Sequence, residues 1–127
     1  MHKSRLAGFI IDCRTDDLDR AAEFWGQALG YARHRPTAPE EEKYVHLLTG
    51  PDGLHIEVQA VDHDSRVHLD IETDDIEAEV RRLEGLGARR IGMVQTWCVM
   101  EAPTGQRFCV VRKQGRNFEQ TANRWTD

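Results

Sequence analysis

Side chains that can bind a metal, a proton or a polar ligand occupy alternate positions in short segments of the sequence. Tyr44 and His46 are separated by one residue, as are His55 and Glu57, and His68 lies in a third segment of the same kind. Imidazole with carboxylate is a common donor set for transition metals, and both groups can also transfer protons. The spacing therefore predicts a polar face that suits metal-dependent chemistry, acid–base chemistry or the binding of a small polar molecule.

The residues between these polar positions are apolar, which indicates β-strands with one face against a helix. Side chains of a strand point to alternate faces of its sheet. The residues predicted to face the helices are Val45, Leu47, Ile56, Val58, Val67, Leu69, Ile71, Phe108 and Val110. The opposite, open face is predicted to carry Tyr44, His46, His55, Glu57, Gln59, His68, Asp70, Arg107 and Cys109. Arg107 could hold a carboxylate or phosphate there through its planar guanidinium group.

Two similar stretches predict the helices that cover this sheet. TDDLDRAAEFWGQALG begins at Thr15 and TDDIEAEVRRLEGLG begins at Thr73, about half a chain length later. Thr and Asp at the start of a helix accept hydrogen bonds from free amides and suit the positive end of the helix dipole. Both stretches continue with apolar residues at helical spacing and end at a glycine. We therefore expect helices at residues 17–29 and 75–86, with Phe24 and Trp25 packed in the core.

The segments around the helices repeat as well, which indicates a duplicated unit. Late strands in each half open with similar turns, PDG from Pro51 and PTG from Pro103. The predicted strands are residues 6–13, 31–35, 43–49 and 53–60 in the first unit, and 66–72, 89–94, 96–101 and 106–113 in the second. The predicted fold class is α+β, with two βαβββ modules in which the helices cover one face of the strands.

The composition limits the kinds of partner. A chain of 127 residues suits one domain of ordinary size. With a net charge of −5 and a pI near 5.7, it is not expected to bind a nucleic acid or an anionic membrane surface. No apolar run is long enough to span a bilayer and the first residues lack a signal-peptide core, so we expect a cytoplasmic protein. The three cysteines have no CxxC spacing and are expected to be reduced.

These features together resemble one large group of proteins. The strand–helix–three-strand order, the helix end FWGQALG, the turn PDG before HIEV and the strand RVHLDI are similar to those of the vicinal oxygen chelate superfamily. The likeness is greatest to glyoxalase-like domains, a group that also contains bleomycin-resistance proteins, extradiol dioxygenases, methylmalonyl-CoA epimerases and thiol transferases acting on fosfomycin.

The resemblance covers roughly residues 6–113 and implies a single glyoxalase-like domain over residues 1–127. Module one would lie at about 6–60 and module two at about 66–113, followed by a polar tail at 114–127. The resemblance also implies that the mixed sheet forms a cup, with the helices on its outer face, and that two chains often complete the cup. We therefore expect a homodimer. The tail is either a loose end or a segment docked by Phe118 and Trp125.

In metal-dependent members of the superfamily, each module supplies one ligand from its first strand and one from its last. The resemblance carries these roles to His68, on the first strand of module two, and to Glu57, on the last strand of module one. The other two positions depart from the pattern. One is Ile10, or Gly8 if a gap is allowed, and the other is Cys109 instead of the usual carboxylate.

This departure leaves more than one class of function open. A divalent ion such as zinc, nickel, manganese or iron would be held weakly by His68 and Glu57 alone, and His46 or His55 could supply a third ligand. The protein is either a binding protein that sequesters a small oxygenated organic molecule without a cofactor, or a metal-dependent lyase, isomerase or dioxygenase with His68 and Glu57 as catalytic residues. A purely structural role is the third alternative. The predicted ligand-binding residues are Tyr44, His46, His55 and Arg107.

Overall fold

Each of the two principal helices is capped at its start by an aspartate, as the repeated stretches predict. The computed structural model describes residues 1–127 and places α1 at Leu18–Leu29 and α2 at Ile76–Gly85. The side chain of Asp17 accepts a hydrogen bond from a first-turn amide of α1 at 3.1 Å, and Asp75 accepts the corresponding bond in α2 at 3.0 Å. Gly30 ends α1 with φ at 79°, a left-handed conformation that glycine adopts without strain.

The elements of module one lie in a compact unit formed by Phe9–Val67. Its strands are β1 (His2–Arg14), of which the second half belongs to this unit, β2 (Ala32–His34), β3 (Tyr44–Leu48) and β4 (His55–Val61). The strand order is β2-β3-β4-β1, and β3 is antiparallel to both of its neighbours. Helix α1 packs on β2, β3 and β4. The buried core between α1 and these strands consists of Ile11, Leu18, Ala22, Val45, Leu47, Ile56 and Val58.

The second compact unit contains Met1–Gly8 and His68–Asp127. Its further strands are β5 (Arg66–Thr73), of which all but the first two residues belong to this unit, β6 (Arg89–Val94), β7 (Trp97–Glu101) and β8 (Arg107–Arg112). The strand order is β5-β8-β7-β6; β5 and β8 are parallel, whereas the other pairs are antiparallel. Helix α2 packs on β6, β7 and β8. The buried core consists of Val80, Leu83, Cys98, Met100 and Val110.

The tail of the chain is docked on this second unit. It forms a short helix, α3 (Phe118–Thr121), and a short strand, β9 (Asn123–Trp125). Strand β9 pairs antiparallel with the start of β1, where Trp125 lies opposite His2. The side chain of Phe118 is only 4% exposed. Of the two alternatives for the tail, the docked segment is therefore confirmed.

The predicted fold class is confirmed. Nine strands and three helices form an α+β structure in which the order βαβββ occurs twice. All three cysteines lie in strands and are free thiols, as expected. No helix combines the length and apolar composition needed to cross a membrane.

Three apolar residues predicted to be covered are exposed. Val67 and Leu69 on β5 are 58% and 51% exposed, because α2 packs on β6, β7 and β8 and leaves the start of β5 uncovered. Phe24 is 61% exposed, since only one of two consecutive helical residues can face the core. Its neighbour Trp25 packs on the core as predicted, and the two rings meet edge to face with centroids 5.0 Å apart.

Candidate functional site

Five polar side chains on β3 and β4 form what we call the module-one face. They are Tyr44, His46, His55, Glu57 and Gln59, and each is partly buried. In the antiparallel pair, His46 lies opposite Glu57 and Tyr44 lies opposite Gln59, so these side chains project to the same side of the sheet. The intervening apolar residues are buried under α1. Strand alternation thus brings together all the module-one residues predicted to bind a ligand.

The carboxylate of Glu57 is the centre of this face. Its Oε1 atom lies 2.6 Å from Nε2 of His55, at hydrogen-bond distance. Its Oε2 atom lies 3.1 Å from Nε2 of His46. The side chain is only 14% exposed. At the edge of the face, the amide group of Gln59 donates a hydrogen bond to the hydroxyl of Tyr44 at 3.0 Å.

The two imidazoles control the ionisation of Glu57. Burial alone would raise the pKa of this carboxyl group, but the contacts with His46 and His55 outweigh burial and lower its pKa to about 2. The same close contact with Glu57 raises the pKa of His46, although burial opposes the charged imidazolium. Glu57 is therefore a carboxylate throughout the neutral pH range, available to accept hydrogen bonds or to bind a cation.

Two residues beside this face were not predicted from the sequence. Oε1 of Glu41 lies 3.6 Å from Nε2 of His46, and the ring of His34 on β2 lies 6.0 Å from the ring of His46. Glu41 belongs to a run of three glutamates whose composition indicates a solvated loop, so nothing in the sequence distinguishes it from its neighbours. His34 stands alone in a short, exposed strand. Only the antiparallel register of β2 with β3, which sets His34 opposite His46, identifies it.

The donor atoms on module one are close enough to share a metal ion. One ligand atom each from Glu41, His46 and Glu57 lies within 4.8 Å of the others. Ligands on one tetrahedral zinc ion are about 3.4 Å apart, because zinc–nitrogen and zinc–oxygen bonds are about 2.1 Å long. The residues present therefore fit a divalent ion, and when bound it would polarise the oxygens of a ligand.

A second group, which we call the module-two face, lies on β5 and β8. It consists of His68, Asp70, Arg107 and Cys109, and Asp70 lies opposite Cys109 in the parallel strand pair. Nε2 of His68 is 3.6 Å from Oδ1 of Asp70, and donor atoms of His68, Asp70 and Cys109 lie within 4.8 Å of one another. Nε of Arg107 donates a hydrogen bond to Oε2 of Glu101 at 3.2 Å, so its guanidinium is already engaged by a carboxylate.

The two residues implied as metal ligands, Glu57 and His68, belong to different compact units. Each has its own set of neighbouring donors: Glu57 lies beside His46 and His55, and His68 lies beside Asp70. That Glu57 and His68 bind one ion together stays a prediction.

A recess on the opposite, helical side of module one competes with these faces as a binding place. It is lined mainly by charged side chains, which include Asp17, Asp19, Arg20, Glu23, Arg33 and Arg35. Nη1 of Arg35 lies 2.5 Å from Oδ1 of Asp19. Arg35 and Asp19 are therefore already paired with each other in the recess.

Comparison with known proteins agrees with this fold. The family described as the glyoxalase-like domain matches residues 8–111, which is most of the chain. The protein therefore belongs to the glyoxalase-like domain family, within the vicinal oxygen chelate superfamily that the sequence resembles. No curated protein matches the chain in sequence.

Several solved structures share the fold. Methylmalonyl-CoA epimerase from Mycobacterium tuberculosis is 16% identical, with a TM-score of 0.58 over 87% of this chain and 89% of its own. A Streptomyces coelicolor methylmalonyl-CoA epimerase variant in complex with 2-nitronate-propionyl-CoA is 13% identical, with a TM-score of 0.52 over 84% of this chain and 94% of its own.

A larger enzyme contains the same fold as part of its chain. The 2,2',3-trihydroxybiphenyl 1,2-dioxygenase from Sphingomonas wittichii strain RW1 is 13% identical, with a TM-score of 0.59 over 89% of this chain and 42% of its own. At these levels of identity, the likeness to all three structures concerns the fold alone.

Proposed function

We propose that the protein binds a small oxygenated organic molecule at the module-one face. The observation that carries this proposal is the ionised carboxylate of Glu57, which lies between the imidazoles of His46 and His55. A carboxylate accepts hydrogen bonds from ligand hydroxyl groups, whereas imidazole and amide N–H groups donate to ligand carbonyl or carboxylate oxygens. A few convergent polar groups of this kind are typical of small-molecule sites.

In its simplest form this function is sequestration, as in a resistance-type binding protein, and no bond in the ligand changes. Tyr44 and Gln59 would then extend the polar contacts along the strands. Arg107 would bind a ligand only by exchanging its contact with Glu101 for one with the ligand. The bound CoA ester in the structure of an epimerase with this fold supports small-molecule binding as the general role.

A screen of hydroxylated and carbonyl compounds by thermal shift tests this proposal. The affinity of any hit is then measured for the wild-type protein, for Glu57→Gln and for His46→Gln. We expect each substitution to weaken binding about 10- to 100-fold, because hydrogen bonds to charged groups contribute about 1.5–3 kcal/mol. His63→Gln, in the loop after β4, is the matched histidine control and should bind normally.

Unchanged affinity in the combined Glu57→Gln and His46→Gln variant would overturn the proposal. Weakened binding in Arg33→Ala, with normal binding in that combined variant, would place the ligand in the recess beside α1 instead.

The second candidate is a metal-dependent lyase, isomerase or dioxygenase in which His68 and Glu57 are catalytic. The specific observation in its favour is that groups of metal-donating side chains occur on both faces. Glu57 is ionised and could therefore serve as an anionic ligand of such an ion. Incubation of each hit with zinc, nickel, manganese or iron, followed by mass spectrometry, separates this candidate from sequestration, since only an enzyme yields a product that is absent in His68→Ala.

We also propose that two chains form a homodimer in the cytoplasm. The dimer is supported by β6, an edge strand of its unit on which Ile91, Met93 and Val94 are exposed. An uncovered edge strand with apolar side chains favours pairing with another chain, and a two-fold dimer is the commonest closed assembly. The three free cysteines suit a reducing compartment.

A further inference from the structure

We propose that module one binds a divalent transition-metal ion by itself, through His46, Glu57 and Glu41, with His55 as the outer partner that orients Glu57. The inference goes beyond the proposed function, because the module-one face could bind an organic molecule without an ion. It also differs from the pair of Glu57 and His68 implied by the resemblance, since all four groups lie in one compact unit.

The spacing of the donor atoms supports one shared ion. Nε2 of His46 is 3.1 Å from Oε2 of Glu57 and 3.6 Å from Oε1 of Glu41. These separations bracket the distance of about 3.4 Å expected between two ligands of one tetrahedral ion. The three groups come from a 3₁₀ turn and two adjacent strands, so a different backbone segment holds each of them.

The environment of His46 gives a second, independent indication. Its Nε2 atom is buried and lacks an aligned hydrogen bond, although it lies near two carboxylates. A buried polar atom without a hydrogen bond is costly, and such atoms in native proteins commonly mark a site for an ion or a water molecule. A cation between His46, Glu57 and Glu41 would coordinate that nitrogen and neutralise both carboxylates.

His55 has a different place in this arrangement. Its Nε2 atom lies 2.6 Å from Oε1 of Glu57, a hydrogen-bond distance, whereas Oε2 of the same carboxylate faces His46. A hydrogen bond to one oxygen holds the carboxylate in orientation and leaves the other oxygen for the metal. Outer partners of this kind affect metal affinity about 10- to 100-fold.

The donor set indicates which ions would bind. One imidazole nitrogen with two carboxylate oxygens, and no sulfur, suits zinc, manganese or iron(II) and offers no soft ligand for copper(I). Three protein ligands also leave at least one coordination position open on the ion. An oxygen of a small molecule bound at the module-one face could occupy that position.

Metal titration of the full-length protein tests the inference without any organic ligand. Chelator-treated protein is titrated with zinc and with manganese by calorimetry, and the ion content after dialysis is measured by mass spectrometry. We expect one ion per chain. Binding should be abolished in His46→Gln and Glu57→Gln and reduced about 10- to 100-fold in His55→Gln. His63→Gln and His68→Ala should bind normally, and circular dichroism shows whether each variant is folded.

The inference is overturned if the wild-type protein binds no ion, or if folded His46→Gln binds as tightly as wild type. Loss of the ion in His68→Ala with retention in His46→Gln would assign the metal to other residues. Repeating the organic-ligand titration in excess chelator distinguishes this inference from the proposed function. If an organic ligand binds but no metal does, the metal site is contradicted and the proposed function stands. If a metal binds but no organic compound does, the metal site stands and the proposed function is contradicted.

Discussion

The buried carboxylate of Glu79 on α2 accepts a hydrogen bond from Nε2 of His2 at 2.7 Å, although 77 residues separate the two along the chain. Arg82, one helical turn later, donates to both oxygens of Glu79 at 2.8 Å. The other ring nitrogen of His2 contacts the carboxylate of Asp127. The first strand and the end of the tail are thereby fixed to the same helix.

Removing Glu79 should destabilise the protein strongly. In Glu79→Ala, His2 and Arg82 both lose their buried partner, and breaking a buried ion pair from one side costs about 3–5 kcal/mol. Urea unfolding followed by tryptophan fluorescence measures the free energy of unfolding. Glu77→Ala, on the exposed side of the same helix, is the matched control and should change it little. Equal losses in the two variants would contradict this role of Glu79.

The same contacts predict how stability depends on pH. Burial opposes the charged form of Glu79, but hydrogen bonds from Arg82 and His2 lower its pKa below the ordinary 4.5. Burial also opposes the charging of His2, yet Glu79 and Asp127 raise its pKa above the ordinary 6.5. The stability contributed by Glu79 is present above pH 4.5 and is lost as pH falls through its lowered pKa. The stability contributed by His2 is present below pH 6.5 and is lost as pH rises through its raised pKa.

We therefore expect these contacts to stabilise most between about pH 4.5 and about pH 6.5. His2→Gln keeps a polar side chain but cannot become charged, so the difference in Tm between wild type and this variant should shrink as the buffer becomes alkaline. Thermal melts across a pH series measure that difference. A difference that is constant with pH would show that the charge of His2 does not contribute.

Two phenylalanines in opposite environments test the docking of the tail. Phe118→Ala should lower the free energy of unfolding by about 3–5 kcal/mol, because the ring is 4% exposed. Phe24→Ala removes the same atoms from a ring that is 61% exposed and should have a much smaller effect. Chemical denaturation of both variants gives the comparison. Similar effects would show that the tail is not held by Phe118.

A charge on the edge strand β6 tests the proposed dimer. Met93→Lys introduces a charged side chain at a position that is 56% exposed, and charges on edge strands block pairing with another chain. Light scattering should show a dimer for wild type and a monomer for this variant. Leu86→Lys, on an exposed residue after α2, should remain dimeric. A wild-type monomer at micromolar concentration would contradict the proposal.

Much of the fold was predictable because it follows from local patterns. The aspartates at the helix starts, the apolar spacing of each helix and the alternation around Val45 and Ile56 predicted the order βαβββ twice. The start of β1 at His2 was not predictable, because that part of the strand pairs with β9 from the other end of the chain. The exposure of Leu69 was missed for a similar reason: alternation gives the side of a strand, but not how far a helix extends over it.

The candidate site, too, was predictable only where it follows from a local pattern. Alternation placed Tyr44, His46, His55 and Glu57 on one face, and the structure confirms that grouping. It gave no indication of Glu41, whose position beside His46 depends on the turn that follows Pro39. The engagement of Arg107 by Glu101 is likewise a contact between strands that only the register of β7 with β8 reveals.

The short strand β9 has a consequence for the solubility of the protein. It pairs with Lys3 and its two neighbours and thereby occupies backbone hydrogen-bonding groups at the start of β1. A strand whose amides and carbonyls are left open is a template for other chains, and aggregation commonly begins at such edges. The last residues of the tail thus protect β1 from pairing between molecules, so a protein cut before Asn123 would be prone to form insoluble aggregates even where each compact unit keeps its core.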